Sequence, residues 1–128
     1  MAQNEQIRQQ VLEFFSGWPT ELGLFEGLSA MIEEIGPAKL EVQKTQIAFG
    51  TRRKFAWAWM PTEWARANRP GNPLIVSFSL GRRVEHQRIV EWVEARPGRF
   101  THHVVVHGPE ELDGQLREWL EEAYASSK

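Results

Sequence analysis

The sequence of 128 residues is 41% hydrophobic and contains six Trp and seven Phe, which fits one domain over residues 1–128 with one core. Cysteine is absent, so disulfides and thiolate chemistry are excluded and a cytoplasmic location is favoured. The polar N-terminus and the lack of a long apolar run predict no signal peptide and no membrane partner. The net charge of −2 is uneven, because residues 39–107 hold 12 of the 15 basic residues and 5 of the 17 acidic ones. Either the basic and acidic segments compensate each other within the folded chain, or the basic segment presents a cationic surface to an anionic partner.

Helical spacing of apolar residues predicts two helices at the start of the chain. The first covers residues 3–16 and is ended by Gly17. The second opens near Thr20, a residue type that caps helix N-termini, and stops at Gly36, a common residue just past a helix end. Its apolar stripe consists of Phe25, Leu28, Ile32 and Ile35.

From residue 40 the apolar period changes to the alternation that is typical of strands. Five strands are predicted, at residues 40–49, 55–59, 74–80, 87–95 and 100–107. The fourth also fits a short helix, but a strand is favoured because Pro97 and Gly98 then form a turn into the fifth. The loop before the third strand has the pattern of one helical turn at residues 62–67.

A last helix is predicted to open near Pro109, with acidic residues in its first turn. This order of elements predicts an α+β fold with a mostly antiparallel sheet of about five strands, on which the two N-terminal helices and the C-terminal helix pack. Because helical stripes must find cover, we expect four residues to be buried together against one sheet face. These are Phe25, Ile32, Trp119 and Leu120.

Known catalytic motifs are absent from the sequence, which has no glycine-rich phosphate loop, no GxSxG elbow and no HExxH. Strand alternation places His102 and His103 on opposite faces, and about 13 Å separates His103 from His107 at ~3.3 Å per residue. These spacings predict no metal site, and no cofactor is expected. A small enzyme that uses His102 or His103 as a general base over a groove is an alternative.

Two predicted turns each carry a pair of arginines, Arg52 with Arg53 and Arg82 with Arg83. In an antiparallel meander these turns are separated by two strand lengths, so they lie at the same end of the sheet. His107, at the end of a strand, is expected to reach that end too. Guanidinium groups suit phosphate and carboxylate oxygens, although arginine is also an ordinary residue of solvated turns.

The second predicted strand alternates large aromatics with alanines, and strand parity places Phe55, Trp57 and Trp59 on one face. Their size favours the core, and their neighbouring cations leave open a stacking platform for single-stranded nucleic acid. If the aromatics are core, the opposite face presents the small residues Ala56, Ala58, Ser77 and Ser79. Lys44 or Lys54 and one of the paired histidines would then project into a shallow groove.

Four segments together resemble one known family: QKTQIAF at residues 43–49, RRKFAWAWMP at 52–61, GRFTHHV at 98–104 and ELDGQLREWLEEAY at 111–124. The family is the bacterial uncharacterised family called domain of unknown function 5655, and the resemblance covers roughly residues 20–125. It implies a bacterial cytoplasmic protein. It also raises a nucleic-acid connection, since members that resemble this chain occur attached to a nuclease-like domain. No activity and no site residue come with the resemblance.

The leading function hypothesis is a small non-enzymatic binding module for an anionic ligand, a nucleic acid or a nucleotide, on the basic part of the sheet. Charge and hydrogen bonding select the expected ligand-binding residues, which are Lys44, Arg52, Arg53, Arg82, Arg83 and His103. The alternatives are the small enzyme and a protein-interaction domain, such as a homodimer, with Trp18 or Trp64 as exposed anchors.

Overall fold

The computed structural model describes residues 2–61 and 73–128. These ranges contain three α-helices, α1 (Ala2–Phe14), α2 (Pro19–Ile35) and α3 (Gly114–Ser127), and a short 3-10 helix at Pro109–Glu111. They contain six strands, β1 (Lys39–Val42), β2 (Ile47–Gly50), β3 (Lys54–Trp59), β4 (Leu74–Leu80), β5 (Ile89–Arg96) and β6 (Arg99–Val106). The expected α+β fold is confirmed, with six strands rather than five.

The six strands form one sheet in the order β1-β2-β3-β4-β6-β5, and every neighbouring pair is antiparallel. The expected meander holds from β1 to β4 and then breaks, because β6 lies between β4 and β5. Residues 81–88 connect β4 to β5 and contact β6 on the way, since the Val84 backbone N–H donates to Nε2 of His102 at 3.0 Å. The β5–β6 hairpin turns at Gly98, whose φ of 78° is a left-handed conformation that favours glycine.

The helices pack on one face of the sheet, which we call the helix face. Phe78 of β4 stacks on Trp119 of α3 with ring centroids 5.4 Å apart, and Phe25 of α2 stacks on Phe49 of β2 at 5.8 Å. The expected core group is confirmed, because each of its members is at most 4% exposed: Phe25, Ile32, Trp119 and Leu120. The stripes of α2 and α3 are therefore buried in one cluster against one sheet face.

A β-bulge at the start of β3 decides which face its aromatics occupy. The register between β2 and β3 shifts between residues 49 and 50 of β2. Phe55 is the extra residue of the bulge and has no partner on β2. Phe55 is fully buried on the helix face, where its ring centroid lies 5.4 Å from that of Tyr124. The expectation that Phe55 shares a face with Trp57 and Trp59 is wrong, because strand parity holds only where the pairing is regular.

The face opposite the helices, which we call the groove face, carries Trp57 and Trp59, both half-buried. The two alanines that were expected on this face, Ala56 and Ala58, belong to the core on the helix face. The predicted serines do lie on the groove face, since Ser77 pairs directly with Trp57. The bulge therefore separates Phe55 from Trp57 and Trp59, which lie on the other face of the sheet.

The predicted strand over residues 40–49 is in fact two strands joined by a tight turn. The Gln43 backbone N–H donates to the Gln46 carbonyl at 2.8 Å, and the Gln46 side chain donates to Gln43 Oε1 at 2.7 Å. Residues 43–46 are all polar, so the apolar–polar alternation stops at this turn, and the single long strand was predicted across a break in the pattern.

The observed helix starts differ from the predicted ones. α2 begins at Pro19, so Thr20 lies inside the helix and is not its N-cap. α3 begins at Gly114 rather than near Pro109, because the carboxylate of Asp113 accepts a backbone N–H of its first turn at 3.1 Å. Pro109 opens the separate 3-10 helix instead.

Other predicted elements agree with the structure. β4 confirms the strand at residues 74–80, and β5 confirms a strand rather than a helix at residues 87–95. The predicted helical turn at residues 62–67 lies outside the described residues. No helix within the described ranges is long and apolar enough to cross a bilayer.

Candidate functional site

Three turns meet at one end of the sheet, which we call the arginine end. They are the β2–β3 turn at residues 51–53, the start of the β4–β5 connection at residues 81–83 and the β5–β6 hairpin at residues 96–99. β3 begins where β4 ends, and Leu80 of β4 pairs with Phe100 of β6, so the three turns lie on the same side. Neighbouring strands lie about 4.8 Å apart, and the two predicted arginine pairs are therefore brought together although the sheet is not a plain meander.

The hairpin adds two arginines that the sequence interpretation missed. The arginine end carries six guanidinium groups, from Arg52, Arg53, Arg82, Arg83, Arg96 and Arg99. The signal was present in the sequence, because Arg96 and Arg99 flank the predicted turn at residues 97–98. Their position relative to the other pairs depended on the strand order, which the sequence did not reveal.

Arg99 is half-buried, whereas the other five arginines are exposed. Its Nη2 donates to the Ser79 carbonyl at 3.3 Å, to Ser79 Oγ at 3.1 Å and to Ser126 Oγ at 3.1 Å, and none of these acceptors is charged. Burial, followed by the positive charges of Arg53 and Arg96, lowers the pKa of Arg99. A guanidinium group held in this way, without a carboxylate from the described residues, gains strongly from an external anion.

The remaining arginines differ in how far they are already engaged. Arg82 donates through Nε and Nη2 to the two carboxylate oxygens of Glu122, each at 2.9 Å, which raises the pKa of Arg82 and lowers that of Glu122. Arg83 lies over the ring of Trp92, 4.8 Å from its centroid. Three others form no ion pair with a carboxylate of the described residues: Arg52, Arg53 and Arg96.

The last turn of α3 fixes the β2–β3 turn in place. The Arg53 backbone N–H donates to the Ser127 carbonyl at 3.1 Å, and the hydroxyl oxygens of Thr51 and Ser127 are 2.6 Å apart. The backbone that carries Arg52 and Arg53 is therefore tied to the helix. This preorganisation lowers the entropy that a ligand would otherwise lose in ordering the turn.

Three residues lie away from the arginine end. Val106 of β6 pairs with Leu74, the first residue of β4, so His107 lies at the opposite end of the sheet. The expectation that His107 reaches the arginine turns is wrong, because β6 runs away from them. Lys44, in the β1–β2 turn, also lies at the opposite end, and His103 lies within β6 on the groove face. The six predicted site residues thus divide between two places.

A cavity of about 1000 Å³ lies over the groove face. Its lining includes Phe14, Lys44, Trp57, Trp59, Ser77 and His103. The predicted groove has Lys44 and His103 in its lining, as expected, but its walls are tryptophans rather than alanines. Lys54 is engaged elsewhere, since its Nζ lies 3.2 Å from a carboxylate oxygen of Glu41.

The tryptophans proposed as dimer anchors have separate outcomes. Trp18 is 37% exposed and lines the same cavity. Trp64 lies outside the residues that the structure describes. The homodimer stays a prediction.

A row of polar side chains crosses the groove face. Ser77 of β4, His103 of β6 and Glu91 of β5 are paired directly opposite one another. Trp59 Nε1 donates to Ser77 Oγ at 2.9 Å, and Ser77 Oγ lies 2.6 Å from His103 Nδ1. An indole nitrogen only donates, so the serine oxygen accepts there, and because a hydroxyl oxygen has two lone pairs the direction of its bond with Nδ1 follows from the tautomer of His103. When Ser77 donates to Nδ1, neutral His103 carries its ring proton on Nε2, which lies 3.9 Å from Glu91 Oε1.

His102 has the opposite tautomer on the helix face. It is fully buried, and its Nε2 accepts the Val84 backbone N–H, so its ring proton sits on Nδ1. Burial lowers the pKa of both histidines, opposed by nearby backbone carbonyls for His102 and by Glu91 for His103. The predicted placement of the pair on opposite faces is confirmed. Within the described ranges, no group of three or more His, Asp or Glu could hold a metal ion.

The amino-acid sequence identifies the family. It matches the family described as domain of unknown function (DUF5655) over residues 11–127. The chain belongs to DUF5655. Neither the curated proteins nor the solved structures contain a match to it.

The two places in the DUF5655 chain support different chemistry. The arginine end offers positive charge and guanidinium donors for anionic oxygens. The groove offers flat indole surfaces and one imidazole N–H donor. His103 Nδ1 lies 2.6 Å from Ser77 Oγ, so a general-base role for this nitrogen would act through the Ser77 hydroxyl.

Proposed function

We propose that this DUF5655 chain binds an anionic ligand, a nucleic acid or a nucleotide, at the arginine end. One observation supports this proposal above the others. Three turns carry six arginines to one end of the sheet, and of these six only Arg82 is ion-paired with a carboxylate of the described residues. The proposal keeps four of the six residues expected from the sequence and adds Arg96 and Arg99.

Placing several arginines at one end of the sheet destabilises the fold through repulsion between like charges unless an anion is bound. Like charges within a Debye length of roughly 8–10 Å repel one another, and Arg99 is partly removed from water as well. A phosphate oxygen placed among these groups replaces repulsion by charge-assisted hydrogen bonds, which are the stronger class of hydrogen bond in proteins. The net charge of −2 does not oppose this, because a local cluster sets its own field.

The experiment is a salt series of binding measurements. Fluorescence anisotropy of a labelled single-stranded oligonucleotide, with a nucleoside triphosphate as competitor, measures affinity from low to physiological ionic strength. If the arginine end engages phosphates, log affinity falls linearly with log salt, with a slope near −0.7 for each phosphate engaged. If the triphosphate displaces the oligonucleotide at a similar concentration of phosphate groups, this result favours a nucleotide as the ligand over a nucleic-acid polymer.

Matched double variants assign the binding to this end. Arg52→Ala with Arg96→Ala should weaken binding about tenfold or more and flatten the slope by about 1.4, because two phosphate contacts are lost. Arg8→Ala with Lys44→Ala removes the same charge from exposed positions, Lys44 being at the opposite end of the sheet, and should leave the slope unchanged. Absence of salt-sensitive binding at low ionic strength would contradict the proposal, and so would equal losses in the two double variants.

We also propose a bacterial cytoplasmic setting for the protein. The cysteine-free composition supports the location, and the resemblance described above supports the origin. Localisation of a tagged chain in a bacterial host that carries the gene would test both parts.

A further inference from the structure

We propose that the groove face holds a second site, for a neutral planar heteroaromatic molecule. Its ring stacks on Trp57 and Trp59, and its acceptor atom accepts a hydrogen bond from Nε2–H of His103.

The flatness of the ligand follows from the groove walls. Trp57 and Trp59 stand on the same face of β3, both half-buried, and line the cavity instead of the core. Phe14 at the end of α1 adds a third aromatic ring to the lining. Aromatic rings pack best against other flat rings in offset or edge-to-face arrangements. A planar ring system therefore fits these walls better than a chain or a sugar.

The neutrality of the ligand follows from the charges of the groove. Among the described lining residues, the charged groups are Glu13 on α1 and Lys44 in the β1–β2 turn, and their signs cancel. His103 is held neutral by burial. Nothing in this lining favours an anion over a cation, in contrast to the arginine end.

The acceptor on the ligand follows from the direction of the hydrogen bonds. Trp59 donates to Ser77, and in the proposed tautomer Ser77 donates to His103 Nδ1, so that each of these three groups has a hydrogen-bond partner. The proton on His103 Nε2 is left over, because the 3.9 Å to Glu91 Oε1 is too long for a hydrogen bond. Ser77 is thus a positioning residue that holds one tautomer, and His103 is the group that touches the ligand.

The first experiment tests the donor without any ligand or variant. Long-range 1H–15N NMR of the imidazole rings reports which nitrogen carries the proton at pH 8. We expect the Nε2–H tautomer for His103 and the Nδ1–H tautomer for His102. The Nδ1–H tautomer at His103 would overturn the assigned donor.

The second experiment titrates 4-quinazolinone, a neutral planar ring with a carbonyl acceptor, and follows the indole N–H signals of the tryptophans. We expect the Trp57 and Trp59 signals to shift while that of Trp92, outside the groove, stays in place. Naphthalene, which lacks the acceptor, should bind about tenfold more weakly, because one hydrogen bond to a ligand is worth roughly that factor. A charged analogue, 2-naphthoate, should not bind more tightly than 4-quinazolinone.

Variants separate this site from the arginine end. His103→Phe keeps a flat ring and should weaken 4-quinazolinone about tenfold, while the control Trp92→Phe leaves its affinity unchanged. Arg52→Ala with Arg96→Ala should not change the affinity for 4-quinazolinone. A failure of the groove proposal is therefore distinguishable from a failure of the proposed anion binding. Dispersed NMR signals establish that each variant is folded. No shift of either groove tryptophan at millimolar ligand, or equal effects of His103→Phe and Trp92→Phe, would overturn the proposal.

Discussion

Lowering the pH from 8 to 5 should destabilise the protein through its paired histidines. Burial lowers the pKa of His102 and of His103 in the folded state, whereas both titrate near 6.5 in an unfolded chain. Below pH 6.5 the unfolded state therefore binds more protons than the folded state, and the free energy of unfolding falls. The full contribution is present above pH 6.5, and the loss continues downward until the lowered folded-state pKa is reached.

The magnitude follows from the linkage slope. One proton taken up only by the unfolded state changes the free energy of unfolding by about 1.36 kcal/mol per pH unit. Between pH 6.5 and pH 5 each histidine therefore removes at most about 2 kcal/mol, and the pair at most about 4 kcal/mol. The exposed ion pairs do not obscure this, because the lowered pKa of Glu41 and of Glu122 makes their loss begin below pH 4.5.

Urea unfolding followed by tryptophan fluorescence at pH 8, 7, 6 and 5 measures the effect. His102→Phe retains a flat ring against Phe78 and removes one titrating group, but it leaves the Val84 N–H without its acceptor. The variant should be about 1–3 kcal/mol less stable at pH 8. Because it loses only the His103 contribution on acidification, the gap should narrow by up to about 2 kcal/mol at pH 5. A wild-type stability that is flat from pH 8 to pH 5, or an unchanged slope in the variant, would refute the reasoning.

Three further outcomes can be checked by thermal unfolding. Asp113→Ala removes both the N-cap of α3 and the carboxylate that pairs with Arg88 at 2.7 Å and should cost about 1–3 kcal/mol, whereas Asp113→Asn, which keeps an acceptor, should cost less. Gly36→Ala should destabilise by roughly 1–3 kcal/mol, because a Cβ there would lie 2.6 Å from Cζ of Tyr124; a neutral result would mean that the ring moves aside freely. Arg82→Ala should change stability by less than about 1 kcal/mol, since its ion pair with Glu122 is largely exposed, and a larger loss would assign it a structural role.

The sequence predicted those features that depend on local pattern. The strand at residues 74–80 is apolar at five of its seven positions and bounded by proline and glycine, and the structure places β4 over the same residues. The helical stripes through Phe25 and Trp119 likewise identified core residues, because an amphipathic helix has one way to face a sheet. The separation of His102 and His103 onto opposite faces followed from strand parity alone.

The features that were missed depend on pairing between distant segments. The Ser77–His103 hydrogen bond requires knowing that β6 pairs with β4 in one register, and no local pattern carries that information. Arg99 joined the arginine end only because β6 lies beside β4 rather than at the sheet edge. His107 was misplaced for the same reason.

The extra residue in β3 makes the β2–β3 hairpin unusually intolerant of changes in length. Surface turns generally accept deletions, but the extra residue here is Phe55, which is fully buried on the helix face, so its loss would leave a gap in the core. Trp57 and Trp59 lie beyond the bulge and pair regularly with β2 and β4, so they would keep their place on the groove face.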